Sequence, residues 1–310
     1  MGLLSATPMT SEDPHAPRRR RMILTGGIVV AATVLATTGT ARAALERVSR
    51  FLSLAGPPVP ASANVLSQHE IERLDSMAPQ HQAELLLERS INHYTGASEQ
   101  IAARSATWRG HISHSERLNH LFTTAINSDD VRVRAAGIEV NIAVRGLEKT
   151  VAMVDRLEPA ARWGEQGLRA NALWDLALIG NRGVEQARVA DILLASIDDQ
   201  NENIRYWTVE GLAFLGTDDA VQPLLRVLRR DPSPMIRERA ACGLAQSGML
   251  DRRQRQTAIP TLLDYAGDSA LDGQTRSWVF QALRDITGET LPPDANAWRQ
   301  WYDSARWRLE

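Results

Sequence analysis

The stretch Asp231-Pro-Ser-Pro-Met-Ile-Arg237 decides the fold. Its aspartate and two prolines favour a turn, and Pro234 suits the first turn of a helix, where no amide hydrogen is needed. Ala240 and Leu244 follow at helical spacing, and Gly248 can end the helix in a left-handed conformation. The stretch therefore predicts a turn, a helix and a glycine stop.

Similar text recurs along the chain, and the arginine of this turn aligns five copies. Spacings of 37, 36, 32 and 39 residues separate the five arginines, which are Arg132, Arg169, Arg205, Arg237 and Arg276. Most of them follow an apolar residue such as Leu168 or Ile236, and Gly180, Gly216 and Gly248 lie eleven residues beyond three of them. This periodicity predicts stacked helical pairs, because neither helix of a pair can bury its apolar face alone.

The copies resemble the HEAT-repeat family, in particular its short bacterial form with Asp-Pro-x-Pro-x-Val/Ile-Arg turns. The resemblance covers residues 115–290 and implies an all-α solenoid of about five helical hairpins.

The same resemblance implies a repeat ladder, in which a turn aspartate pairs with an inner-helix arginine and links adjacent repeats. By position, Asp199 and Asp231 match this pattern, six residues before Arg205 and Arg237. Arg169 and Arg276 belong to copies that depart from it, and Trp163 stands at the aspartate position of the second copy. Solvated turn residues without any coupling are the alternative interpretation.

Less regular segments flank the array. Residues 66–114 open with the capping box Ser67-Gln-His-Glu70 and are interpreted as a helical N-terminal cap. Residues 291–310 predict a Trp-rich capping helix, because three aromatic residues share one helix face, namely Trp298, Trp301 and Tyr302. An aromatic ligand site is the alternative for that face.

Residues 1–43 have the features of an export signal. Arginines at 18–21 precede the uncharged residues 22–41, and Ala41-Arg42-Ala43 fits the rule for signal peptidase. The arginines loosely resemble a twin-arginine signal. We expect export to the periplasm or cell envelope, with cleavage after this site or retention as an anchor, and residues 44–65 as a proline-rich linker. A cytoplasmic protein with a basic tail is the alternative.

Charge and motif content limit the possible chemistry. The net charge is −2, and removal of the signal would leave 30 cationic against 35 anionic residues, which argues against nucleic-acid binding. No nucleotide-binding loop or hydrolase motif occurs in the sequence. His111, His114 and His120 lack partners at metal-ligand spacing, and Cys242 has no histidine within its repeat. We therefore predict no cofactor, no metal site and no catalytic residue.

The most informative functional positions lie two and five residues beyond each arginine, where side chains should line the concave groove. These positions and the ridge beside them supply Trp174, Trp207, Glu210, Phe214, Arg239 and Trp278. Tryptophan and arginine are enriched in binding hot spots. We therefore hypothesise a groove for a protein or peptide, with membrane contact only through an uncleaved N-terminal segment. Filling of gaps between repeats is an equal alternative.

Enzymes form the second class of function. Some HEAT-like proteins are bilin lyases, which would need a pigment-binding partner that no residue here identifies. Others are alkylpurine DNA glycosylases, for which a basic groove and a cytoplasmic address are expected.

Overall fold

The computed structural model describes residues 64–305, so the predicted signal, nearly all of the predicted linker and the last five residues lie outside the described part. The described residues fold almost entirely into helices. These are α1 (Gln68–Asp75), α2 (Pro79–Ile91), α3 (Ala97–Trp108), α4 (Glu116–Ile126), α5 (Val131–Val144), α6 (Val151–Trp163), α7 (Gln166–Asn181), α8 (Gln186–Leu194), α9 (Glu202–Leu215), α10 (Val221–Arg230), α11 (Pro234–Ala245), α12 (Arg252–Gln256), α13 (Ile259–Ala266), α14 (Gly273–Thr287) and α15 (Ala295–Ala305), with a 3₁₀ turn at Asp218–Ala220.

The predicted all-α solenoid is confirmed. Outer helices α6, α8, α10 and α13 each pair with the inner helix that follows, namely α7, α9, α11 and α14. The inner helices lie side by side and parallel, so that Trp174 of α7 contacts Trp207 of α9, and Glu210 of α9 pairs with Arg239 of α11. A β-carbon on Gly243 of α11 would lie 2.9 Å from Cβ of Ala213 on α9. Glycine therefore permits the close approach of these two helices.

The helix ends follow most of the sequence signals, although α11 ends at Ala245, three residues before the predicted stop at Gly248, which does have a positive φ. Ser67 and Glu70 form the predicted capping box at the start of α1. Gly216 and Gly288 end their helices with positive φ, as expected. Gly180 was predicted to end a helix, but it lies inside α7, which continues to Asn181. The positive φ of that turn falls on Gly183 instead.

A repeat ladder connects the turns of helices α6–α14, here called the main stack. Three inner-helix arginines donate to the carboxylate of the next turn. Arg169 Nη2 donates to Asp199 Oδ2 at 2.7 Å, and Arg237 Nη2 donates to Asp272 Oδ2 at 3.2 Å. Arg205 is bidentate to Asp231, with bonds of 2.8 and 3.2 Å.

The same arginines also bind their own turns. Arg205 Nη1 donates to the carbonyl oxygen of Asp199 at 2.8 Å, and Arg237 Nη1 donates to that of Asp231 at 2.7 Å. The aspartate six positions before each of these arginines thus accepts hydrogen bonds from two repeats. Its backbone carbonyl accepts from the arginine of its own repeat, and its carboxylate accepts from the arginine of the preceding repeat. Arg276 makes a longer bond of the same kind, from its Nη1 to the carbonyl oxygen of Asp268 at 3.4 Å.

The register of the first copy needs a correction. Arg132 is exposed and pairs with the neighbouring Asp130, whereas Arg134 occupies the buried fourth position of its helix and donates to the carbonyl of Ser128, six residues earlier, at 2.9 Å. Arg134 is therefore the structural counterpart of Arg205. In the sequence a valine precedes each of these two arginines. Of the two valines, Val133, which precedes Arg134, is the buried one.

The start of the main stack is also less covered than the sequence suggested. Leu168 precedes Arg169 as Ile204 and Ile236 precede their arginines, yet it is 62% exposed, whereas Ile204 and Ile236 are fully buried. Trp163, at the position where the next turns carry aspartate, is 76% exposed. Within residues 64–305 no parallel helix precedes α7, so the face that an earlier repeat covers on α9 and α11 is open here.

Helices α1–α5, here called the N-terminal block, form a separate core. This core combines residues of the predicted N-terminal cap with residues of the first predicted repeat. The predicted boundary at 114/115 therefore falls inside one core. Helix α5 crosses α7 in the antiparallel sense: Arg145 at the end of α5 bonds Asp175 in the middle of α7, and Arg182 at the end of α7 pairs with Glu139 in the middle of α5. Ile138 and Ile142 of α5 enter the core of the main stack. The block therefore lies against the stack without continuing its parallel order.

The far end of the stack is covered by α15. Trp298 is fully buried, and its Nε1 donates to the carbonyl of Pro292 at 3.0 Å. Trp301 packs edge-on against it, with ring centroids 5.8 Å apart. These contacts fit the capping interpretation of this segment.

The ladder predicts a large difference between two aspartates that both face an arginine of a neighbouring repeat. Asp231→Ala should destabilise the protein by about 3–5 kcal/mol in urea denaturation, because it leaves Arg205 buried without its carboxylate. The two side chains are only 4% and 10% exposed. In the matched control, Asp198→Ala removes a pair whose side chains are 83% and 48% exposed, and about 0–1 kcal/mol should be lost. Equal losses for the two variants would contradict the ladder's structural role.

Candidate binding groove

Four aromatic side chains form a cluster on the inner helices. Trp174 of α7 lies between two residues of α9 that are two helical turns apart: its ring centroid is 5.7 Å from that of Trp207 and 5.1 Å from that of Phe214. Tyr206 packs edge-on against Trp207 at 5.5 Å. Edge-to-face packing of this kind holds the rings in fixed orientations.

A charged pair extends the same surface towards α11. Arg239 Nη2 pairs closely with Glu210 Oε1, and both side chains are mostly buried. Desolvation lowers the pKa of Arg239, but opposing interactions, of which the attraction to Glu210 is the largest, outweigh it, so that the pKa is raised. Arg239 therefore stays cationic. Burial raises the pKa of the Cys242 thiol to about 11, so that this sulfur remains protonated at neutral pH.

Three of the six predicted groove residues are not open to a partner. Trp174 is 7% exposed, Phe214 is 3% exposed, and Glu210 is buried. The reason lies in the second halves of α7 and α9, where residues 172–180 and 208–215 are buried without interruption. These helices have no free face there, so the three side chains fill space between helices, as the alternative interpretation held.

The other three predicted residues keep part of their surface. Trp207, Arg239 and Trp278 are half-buried, and Trp207 and Trp278 also pack against the main core. Trp207 is held by Trp174, and Arg239 by Glu210. The buried members of the predicted set thus support the partly exposed ones.

A polar link between α11 and α14 was missed from the sequence. Gln246 Nε2 donates to Asp285 Oδ2, and Gln281 Nε2 donates to Asp285 Oδ1 at 2.8 Å. Desolvation raises the pKa of Asp285 to about 6, although both amides oppose the shift. The sequence shows only that Asp285 is an acidic residue nine positions beyond Arg276, near the end of a predicted helix. Asp285 belongs to no sequence motif that would indicate this link.

The histidines show no common site. His111, His114 and His120 are exposed, and His114 Nδ1 lies 2.9 Å from Asn119 Oδ1. Across residues 64–305 no group of three or more metal-ligating side chains is brought together. In the same range, no helix combines the length and apolar character needed to cross a membrane.

Comparison with protein families identifies the centre of the stack. Residues 154–245, from within α6 to the end of α11, match the family model described as HEAT repeats. This segment is therefore similar to HEAT repeats. No curated protein matched the chain. The matched segment contains the aromatic cluster and the charged pair, with Trp174, Trp207, Glu210, Phe214 and Arg239.

The buried carboxyl of Asp285 predicts a specific pH dependence. Because its folded-state pKa is raised, the folded protein holds this proton more tightly than the unfolded chain, and the resulting stability is lost as the pH rises through about 6. Asp285→Asn cannot ionise, so between about pH 4 and pH 7 the wild type should lose about 2–3 kcal/mol relative to this variant. Urea denaturation at several pH values measures the difference.

Asp268→Asn is the matched control for the direction of this effect. The amide of Ala270 and the side chain of Arg229 lower the pKa of Asp268. Its stabilising contribution is therefore present at neutral pH and lost on acidification, which is the opposite sign. The same sign for both variants would contradict the assignment.

Proposed function

We propose that the protein is a non-catalytic scaffold of the cell envelope that binds a protein or peptide along the inner face of its HEAT repeats. The observation that carries the proposal is Trp207, a half-buried indole fixed by two edge-on ring contacts beside the charged pair Glu210–Arg239. An anchor that is already ordered loses little conformational freedom on binding. Trp278 on α14 offers a second aromatic surface on the same layer of helices.

The proposed envelope address rests on residues 1–43, where arginines, an uncharged segment and a cleavage rule follow in the order of an export signal. The proposed non-catalytic role is supported by the environments of the cysteine and of the three clustered histidines, the side chains best suited to catalysis. Cys242 is held as a thiol by burial, and His111, His114 and His120 are solvent-exposed.

Peptide selection tests the binding surface directly. Random peptides displayed on phage are selected on the wild-type protein, and their affinities are then measured for Trp207→Ala. A loss of roughly 30-fold is expected, the size of a hot-spot residue. Trp163→Ala is the matched control, because it removes an exposed indole at the end of α6. It should leave binding unchanged.

Circular dichroism of both variants establishes that the helices are intact. Peptides that bind Trp207→Ala as tightly as the wild type would refute a site centred on this residue. A selection that yields no binding peptide at all would count against a peptide groove.

The proposed address has an independent test. Cells producing the full chain are fractionated, and the amino terminus of the purified protein is determined by mass spectrometry. We expect the protein in the envelope fraction with Ala44 as its first residue, or with residues 22–41 retained in the membrane. Recovery of the intact chain from the cytoplasm would refute export.

A further inference from the structure

Two arginines meet at the seam between the N-terminal block and the main stack, and both are almost fully buried. Arg134 belongs to α5 and Arg255 to α12, with exposures of 2% and 3%. Both donate to the carbonyl oxygen of Gln246, Arg134 through Nη1 at 3.2 Å and Arg255 through Nη2 at 3.4 Å. That carbonyl lies at the C-terminal end of α11, where the helix dipole favours positive charge.

Arg255 has partners for each of its nitrogen atoms. Besides Gln246, it donates to the carbonyls of Leu250 at 2.9 Å, Ser247 at 3.0 Å and Leu244 at 3.5 Å. Arg134 is different, since only its Nη1 is used, towards Ser128 and Gln246. Its Nε and Nη2 atoms are buried without a hydrogen-bond partner, and so is the hydroxyl of Ser247.

The neighbouring carboxylates do not satisfy these donors. Asp130 caps α5 and binds Arg132, Asp251 caps α12, and Asp285 accepts from two glutamine amides. Asp129 and Asp130 attract Arg134 through space, yet its Nε and Nη2 bond neither of them. Carbonyl oxygens carry only partial charge. Within residues 64–305, two cations are therefore brought together with no carboxylate hydrogen-bonded to either.

Both guanidinium groups remain charged at neutral pH. Burial lowers the pKa of Arg134 to about 10, and burial together with Arg134 lowers that of Arg255 to about 9. A buried charge without a counter-charge is costly, so the seam favours a negative ligand.

We propose that the seam binds a small inorganic oxyanion of the phosphate or sulfate class. The Nε–Nη2 edge of an arginine presents two parallel donors, which match two oxygens of such an anion. Ser247 Oγ supplies a third donor from the main stack, and Arg255 adds its charge. Because Arg134 comes from the N-terminal block, the anion joins the block to the stack. The near-complete burial of the donors excludes a large ligand.

Thermal unfolding tests the site with inorganic phosphate and sulfate as probes, each compared with sodium chloride at equal ionic strength. A ligand that binds only the folded state raises the Tm, and a rise of roughly 2–4 °C in tens-of-millimolar phosphate is expected for the wild type. Arg134→Met should lose this response. Arg132→Met removes an exposed arginine from the same helix and should keep it.

Equal responses of wild type and Arg134→Met would show a general salt effect and overturn the proposal. If Arg134→Met does not fold, the wild type decides the question through crystals grown with selenate. An anomalous peak within hydrogen-bonding distance of Arg134 Nε or Nη2 supports the site, and selenate found only elsewhere, or nowhere, overturns it.

Discussion

The bond from an inner-helix arginine to the turn of the next repeat is the interaction on which the stack depends. One aspartate, Asp231, serves two repeats at once, through its carboxylate to Arg205 and its carbonyl to Arg237. A hydrophobic face tolerates small changes in the angle between repeats, whereas a bidentate pair accepts only one relative position. The ladder therefore sets the register of the helices, and apolar burial supplies the main driving force for their association.

That register also explains where a binding surface can exist. The parallel order brings Trp174 against Trp207 and Glu210 against Arg239, so that buried residues of one helix support partly exposed residues of the next. The N-terminal block, which does not follow the parallel order, meets the stack through ion pairs of α5 and through Ile138 and Ile142. Of the predicted groove residues, only Trp207, Arg239 and Trp278 keep surface that a partner could contact.

Much of the fold could be predicted from the sequence, because turn residues and helical periodicity act locally. Pro234, the capping box at Ser67 and the glycine at position 216 each specify their own helix end. The first repeat was misaligned because Arg132 and Arg134 are both preceded by valine, and only tertiary contacts distinguish them. The candidate site was predicted in part for the same reason. Helical spacing placed Trp174 and Phe214 on the inner side, but their burial depends on neighbouring helices that spacing does not describe.

The close contacts of the inner helices have a geometric consequence. At Gly243 a hydrogen atom lies where a methyl group would touch Ala213, and at Gly211 a β-carbon would lie 3.4 Å from that of Ala177. Residues this small let the inner helices approach closely, whereas neighbouring outer helices make few contacts with each other. Layers of unequal spacing make a stack bend towards the narrower side. The smallest residues of the inner helices therefore contribute to the curvature of the protein. This curvature in turn limits the width of a ligand that can lie along the inner face.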